Sequence, residues 1–170
     1  AYDPDKARAL LAEAGYADGL TLSLKLPPPS YARRGGEIIA AQLREVGITA
    51  EIENLEWAQW LEQVFRGKDY DLTIVSHTEP MDINIYARPD YYFQYDNPDF
   101  QIMMEELAQA TDPADRSRIL KEAQTTIADD YVNGFVFQLA RTGVADARIE
   151  GLWENAPTQA NDLTGMRWTE

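Results

Sequence analysis

Three prolines fix where helices of this chain begin. Asp3-Pro4, Asn97-Pro98 and Asp112-Pro113 each put a hydrogen-bond-accepting side chain directly before a proline. At the first helical position the N–H that proline lacks would have had no partner, so nothing is lost. Gly15, Gly47 and Gly67 follow apolar periodic stretches and can take the left-handed backbone that ends a helix. These marks predict helices over residues 4–14, 32–46, 57–66, 98–110 and 113–130. The apolar spacing agrees. Ile39, Leu43 and Val46, like Trp57, Leu61 and Val64, recur at i, i+4, i+7, and Leu120, Ala123 and Ile127 recur at i, i+3, i+7.

Between the helices lie short stretches of strand character. Leu20 to Leu26 alternates Leu with Thr, Ser and Lys, and Ala50 to Leu55 alternates in the same way. Leu72 to Ser76 is almost continuously apolar, which predicts a central strand covered on both faces. Phe135 to Ala140, rich in aromatic and branched residues, predicts a further strand. Helix, strand, helix, strand, helix, strand, two helices and a closing strand pair together predict an α/β domain whose sheet is at least partly parallel. The segment from His77 to Asp96 has no helical or strand period, and a stretch of that length in a compact domain points to function.

Composition then removes whole classes of function. The 170 residues hold 15 Lys+Arg against 29 Asp+Glu, a net charge of −14, with one His and no Cys. That acidic balance argues against nucleic acid as a partner, because binding by phosphate neutralisation needs a basic face. Without Cys there is no thiol nucleophile, thiolate zinc site or iron–sulfur cluster. No cofactor or resident metal is expected. No apolar run approaches the roughly 18 residues that span a bilayer. The first residue is Ala, so the expectation is a processed or excised chain in which the absence of a signal says little about destination.

Ligands of open α/β sheets bind outside the carboxyl ends of the strands. The segment SHTEPMDINIY starts where the Leu72 to Ser76 run ends, and there His77, Thr78, Glu79 and Asp82 would be displayed. Three chemistries fit this set. Glu79 and Asp82 could act as an acid/base pair with His77. The same groups could supply nitrogen and oxygen ligands to a metal. Either carboxylate could hold an ammonium group through charge-assisted hydrogen bonds. The plainer alternatives are a hydrogen-bonding structural histidine and a solvated turn glutamate before Pro80. No serine stands in a nucleophile-elbow context, so a carboxylate-dependent hydrolase is the weakest of the three.

Elsewhere the residues read mostly as structure. Trp57 is expected in the core and Trp60 at its margin. Met103, Met104 and Leu107 read as a core stripe. Arg33 and Arg34 open a helix and could meet a ligand carboxylate or simply face solvent. Tyr86, Tyr91, Tyr92 and Tyr95 fall within ten positions and suggest an amphipathic contact surface, which also keeps open a plain interaction domain with no small ligand.

Three blocks, YDPDKARALLAEAGY, EIIAAQLREVGITAEIENLEWAQWLEQVFRGKDYDLTIVS and YDNPDFQIMMEELAQATDPADRSRILKEAQTTIADD, stand in one order. Together they resemble the second lobe of the bacterial solute-binding proteins of family 5. That family serves peptide, oligopeptide and nickel ABC importers, and the resemblance runs from Tyr2 to about Asp146. It implies one lobe of a type II periplasmic-binding-protein-like fold, a mixed sheet with helices on both faces. Residues 1–148 would form the second lobe, and residues 149–170 a tail returning toward a first lobe not contained here. It further implies no enzymatic activity, a peptide or other small solute as ligand and an ABC permease as partner. The location implied is periplasmic, or extracellular and membrane-anchored in a bacterium without an outer membrane.

In peptide-binding members a Trp-containing loop after the central strand carries an acidic residue that grips the ligand's amino group, with Asp-Pro shortly after. Aligned on that loop, Glu79 takes the acidic position and Asp82 falls near the Asp of Asp-Pro. Here the loop has no Trp, and Ile83 follows Asp82, so the solute stays open between a peptide, another cation and a metal complex. The roles implied are Glu79, and secondarily Asp82, on the cationic group, His77 and Thr78 orienting it, and Tyr86 as wall.

Overall fold

The computed structural model describes residues 2–77, 82–140, 142–153 and 162–169. They form two compact units, Ala1–Val75 with Asp90–Gln94, and Ser76–Pro89 with Tyr95–Glu170.

The first unit is built on a parallel sheet. After helix α1 (Pro4–Glu13), strand β1 (Leu20–Leu26) pairs along its whole length with β2 (Ile48–Asn54), from Leu20 opposite Ile48 to Leu26 opposite Asn54. Helix α2 (Ser30–Glu45) makes the crossover. The chain then continues through α3 (Trp57–Trp60) and a π-helical turn (Leu61–Arg66) to the short strand β3 (Leu72–Thr73), which pairs with the other side of β1. Strand order is β2-β1-β3, so β1 is central and Leu72 to Ser76 is not. The apolar run misled because the true central strand carries a lysine. Leu24, Lys25 and Leu26 are all buried, with Lys25 only 7% exposed.

Successive strand residues face opposite sides of a sheet. Leu24 and Leu26 pack with Ala50 against Ala40 and Leu43 of α2, and Lys25 points to the other face. The approach of α2 is close because it presents small residues, Ala32, Gly36 and Ala40. A Cβ on Gly36 would lie 2.4 Å from Leu26 Cδ1. On the opposite side Leu55, Trp60, Val64 and Tyr92 form a second cluster. The tryptophans reverse the expectation: Trp60 is the core residue at 4% exposure and Trp57 lies at 43%. Trp60 gains a further anchor, since its Nε1 donates to Thr73 Oγ1 at 3.0 Å.

The second unit is a helical hairpin, α4 (Pro98–Gln109) and α5 (Pro113–Asp129). Phe100, Met104 and Leu107 face Ile119, Ala123 and Ile127; Ile119 takes the buried place expected of Leu120, and Met103 is only partly buried. All three proline-marked caps are present. Asp3 accepts from Lys6 N–H, Asn97 from Asp99 and Phe100 N–H, and Asp112 from Ala114 and Asp115 N–H. Gly15 and Gly47 take the left-handed backbone at φ +91° and +94°, whereas Gly67 does not, and Lys68 at φ 55° turns the chain instead.

Phe135 to Ala140 forms no strand. Its strand propensity finds no pairing partner among the described residues, and Phe135 is 72% exposed. The pair that does form is β4 (Ile149–Glu150) with β5 (Arg167–Trp168), antiparallel, with the Arg148 guanidinium 5.2 Å over the Trp168 ring.

Candidate functional site

Beyond β3 the chain leaves regular pairing and reaches Ser76 and His77. Thr78 and Glu79 lie outside the described residues. The chain then forms a 3-10 helix over Asp82–Ala87. One face of this helix is fixed by packing. Ile85 is buried, and Ile83, Tyr86 and Ala87 sit against the core of the helical hairpin. The anchoring leaves Asp82, at the start of the helix, beside the imidazole: His77 Nδ1 and Asp82 Oδ2 are 3.4 Å apart, and each side chain is about one-third exposed. Two of the five candidate residues are therefore brought together in a solvent-reachable pair, one a carboxylate able to accept from an ammonium and the other an imidazole able to orient it.

Tyr86 lies on the same short helix, with its ring edge-on to Phe100 at 6.2 Å and to Tyr95 at 6.4 Å. Both contacts hold the ring against the hairpin. The tyrosine-rich segment as a whole is not the contact surface its composition suggests. Tyr92 is 2% exposed and packs edge-on against Trp60 at 5.7 Å. Its carbonyl accepts from the Tyr70 hydroxyl at 2.6 Å. Tyr91 packs edge-on against Phe65 and Phe93. Large aromatic rings bury more surface in two separate cores than an exposed loop would allow.

Two polar arrangements had no recognised signal in the sequence. Tyr95 donates its hydroxyl to Asp130, and Asn97 Nδ2 donates to the same carboxylate at 2.9 Å, which ties the start of α4 to the end of α5. Desolvation first, and the Asp130 bond second, push the Tyr95 hydroxyl up to about 12. The two hydrogen bonds hold Asp130 below the usual carboxylate range. Lys25 meets Asp69 at 2.8 Å and Gln63 at 3.1 Å, with Glu53 at 3.9 Å. Its only trace in the sequence is a lysine inside Leu-Lys-Leu. Arg33, a candidate for a ligand carboxylate, pairs instead with Glu56 at 3.3 Å.

Among the described residues, no group of three or more His, Asp or Glu is placed to hold a metal ion, and no helix is long and apolar enough to cross a membrane.

The sequence profile of the bacterial extracellular solute-binding proteins, family 5 Middle, matches residues 1–99. Di/tripeptide-binding protein 4 of Pseudomonas aeruginosa (strain UCBPP-PA14) is 28% identical over 142 residues, 72% of this chain and 26% of that protein. The dipeptide-binding protein of Escherichia coli (strain K12) is 39% identical over 72 residues, 39% of this chain and 14% of that one. Among solved structures, the dipeptide-binding protein of Pseudoalteromonas sp. SM9913 in complex with Met-Leu superposes with a TM-score of 0.73 at 23% identity. That superposition covers 99% of this chain and 36% of the other. The fold is thus that of one lobe of a type II periplasmic-binding protein, and all three relatives are binding proteins by name. This chain spans about a quarter of the length of the first of them. With the profile matching more than half of its residues, the chain belongs to the bacterial extracellular solute-binding proteins of family 5.

Proposed function

We propose that this chain is a ligand-binding lobe of the substrate-binding component of an ABC importer, which captures a peptide or another cationic, peptide-like solute and delivers it to a membrane permease. The observation that carries this reading is the family match over residues 1–99, which runs through the whole loop from His77 to Tyr92. Relatives named for di- and tripeptides support the solute class. In this reading residues 1–148 are the second lobe, and residues 149–170 return toward a first lobe of the same receptor. Its place is the periplasm or, in a bacterium without an outer membrane, the outer face of the cell membrane. The action is capture and release, with no catalytic step and no cofactor.

Glu79 and Asp82 supply negative charge for the solute's ammonium group, His77 and Thr78 orient it, and Tyr86 forms wall. The His77–Asp82 pair supports this division of roles, because a carboxylate beside an imidazole keeps lone pairs for a third, cationic partner.

The test is isothermal titration of the receptor containing these residues with a dipeptide panel, each peptide in free-amine and N-acetylated form. Free amines should bind at least about tenfold more tightly, the scale of a charge-assisted hydrogen bond. Glu79→Ala or Asp82→Asn should shrink that difference. Equal affinity for both forms, unchanged in the variants, would remove the carboxylates from the site. Binding by residues 1–170 alone should be weaker than by a two-lobed receptor, because one lobe makes only part of the contacts against the same association entropy.

A further inference from the structure

Residues 61–66 form a π-helix, the rare wide turn closed by i→i+5 hydrogen bonds. Gly67 N–H donates to Glu62 O at 2.9 Å across the wide turn, and Asp69 N–H donates to Gln63 O at 2.9 Å. The turn is sterically demanding. A Cβ at Gly67 would lie 2.8 Å from Gln63 O and 2.9 Å from Glu62 O.

Lys25 grips this turn from within and from just beyond its end. Its buried ammonium donates to Gln63 Oε1 at 3.1 Å, from within the turn, and to Asp69 Oδ2 at 2.8 Å, just beyond it. Its own carbonyl accepts from Thr73 Oγ1 at 2.7 Å, and Thr73 Oγ1 accepts from Trp60 Nε1. The Lys25 side chain thus holds the π-helical turn and its exit, while its backbone carbonyl ties to the α-helical entry through Thr73. A buried lysine needs such partners, since leaving its charge uncompensated would be strongly unfavourable. An α-helical register would carry Gln63 around the axis and away from Lys25.

The register also decides what the segment shows to solvent. In a regular α-helix, side chains eight residues apart lie about 80° out of line, because 3.6 residues complete a turn. The wider π-turn takes back much of that drift, and Trp57, Leu61 and Phe65 all emerge exposed while Trp60 and Val64 stay buried.

We infer that Lys25 is a latch that holds residues 61–66 in the π register and thereby lines up Trp57, Leu61 and Phe65 as one exposed apolar row. Lys25 is a positioning residue, acting through Gln63 and Asp69. This role stands independently of any solute the receptor takes.

Residue-resolved hydrogen exchange on the intact chain tests the latch. The reporters are the Gly67 and Asp69 amides, and the reference is the Leu55 amide, which donates to Leu26 O at 2.9 Å in the same unit. In Lys25→Met, which fills the site without a donor, the two reporters should exchange at least about tenfold faster while Leu55 is unchanged. Lys25→Arg, which keeps donors for both partners, should hold the reporters near the wild-type rate. Should Lys25→Met fail to fold, Gln63→Leu is read by the same criterion. The latch is overturned if reporter protection is unchanged in the folded variant. It is equally overturned if reporters and reference lose protection together, or if Lys25→Arg behaves as Lys25→Met.

Discussion

The sheet unit and the helical unit bury their apolar residues by different means. In the helical hairpin the contacts join residues near in sequence. Phe100, Met104 and Leu107 meet Ile119, Ala123 and Ile127 across a three-residue connection. Arg116 Nη1 closes that connection by donating to Leu107 O at 2.9 Å and Ala110 O at 3.0 Å. Polar groups there stand at helix ends, and the core is wholly apolar. The sheet unit must instead bring together residues more than 40 apart. It does so with polar ties between strands and loops, such as the part-buried Lys25 to Asp69 and, at the surface, the Ser23 N–H to the Asp71 carboxylate at 2.7 Å. Non-local pairing must overcome loop-closure entropy before its contacts form, so directional bonds that select one register are more useful there than in a hairpin.

That contrast can be broken at several strengths. Phe100→Ala, at the fully buried centre of the hairpin core, should destabilise the helical unit by about 3–5 kcal/mol. Hydrogen exchange would show the loss along α4 and α5. If the β1–β2 amides lost as much protection, the two cores would be one cooperative structure and the contrast would fall. A smaller effect is expected of neighbouring glycines in α2. Gly35→Ala has ordinary space, with Ile74 Cδ1 3.9 Å from the new Cβ, and should gain up to about 1 kcal/mol from helix propensity. Gly36→Ala drives its Cβ into a fully buried Leu26 and should lose roughly 1 kcal/mol net, overpacking of about 1–3 kcal/mol outweighing the propensity gain. Urea midpoints of the two variants should move in opposite directions. Equal shifts would show that α2 has room over β1.

The gentlest probe is alkaline titration, because each unit holds a tyrosine whose hydroxyl is pushed up to about 12. Burial pushes Tyr70 in the sheet unit up to about 12, and desolvation with the Asp130 bond does the same for Tyr95 in the helical unit. A phenol raised in the folded state contributes stability that is complete below the unfolded value near 10 and is lost as pH rises through the folded value. Both units should therefore weaken between about pH 10 and 12, with Tyr70 and Tyr95 among the tyrosines that ionise late by ultraviolet absorbance. In Asp130→Asn, Tyr95 should ionise earlier and Tyr70 unchanged. A simultaneous shift of both would contradict their separate environments.

The sequence by itself determined what depends on neighbours three or four residues away. The caps at Asp3, Asn97 and Asp112, most of the apolar stripes of α4 and α5 (Met104, Leu107, Ala123 and Ile127, with Ile119 in place of Leu120), the left-handed glycines at 15 and 47 and the first strand were legible, because capping bonds and helical spacing are local. The segment from His77 to Asp96 stood out as a break in that periodicity, and His77 and Asp82, five positions apart, come within 3.4 Å. Tertiary structure decided what depends on distant partners. It made β1 the central strand by pairing both its sides, buried Lys25 by supplying Asp69 from 44 residues away, and exchanged the roles of Trp57 and Trp60 around a π-turn. It also left Phe135 to Ala140 without the ladder its composition asks for. A side chain's propensity is written at its own position, whereas its burial is set by whichever remote segment arrives to cover it.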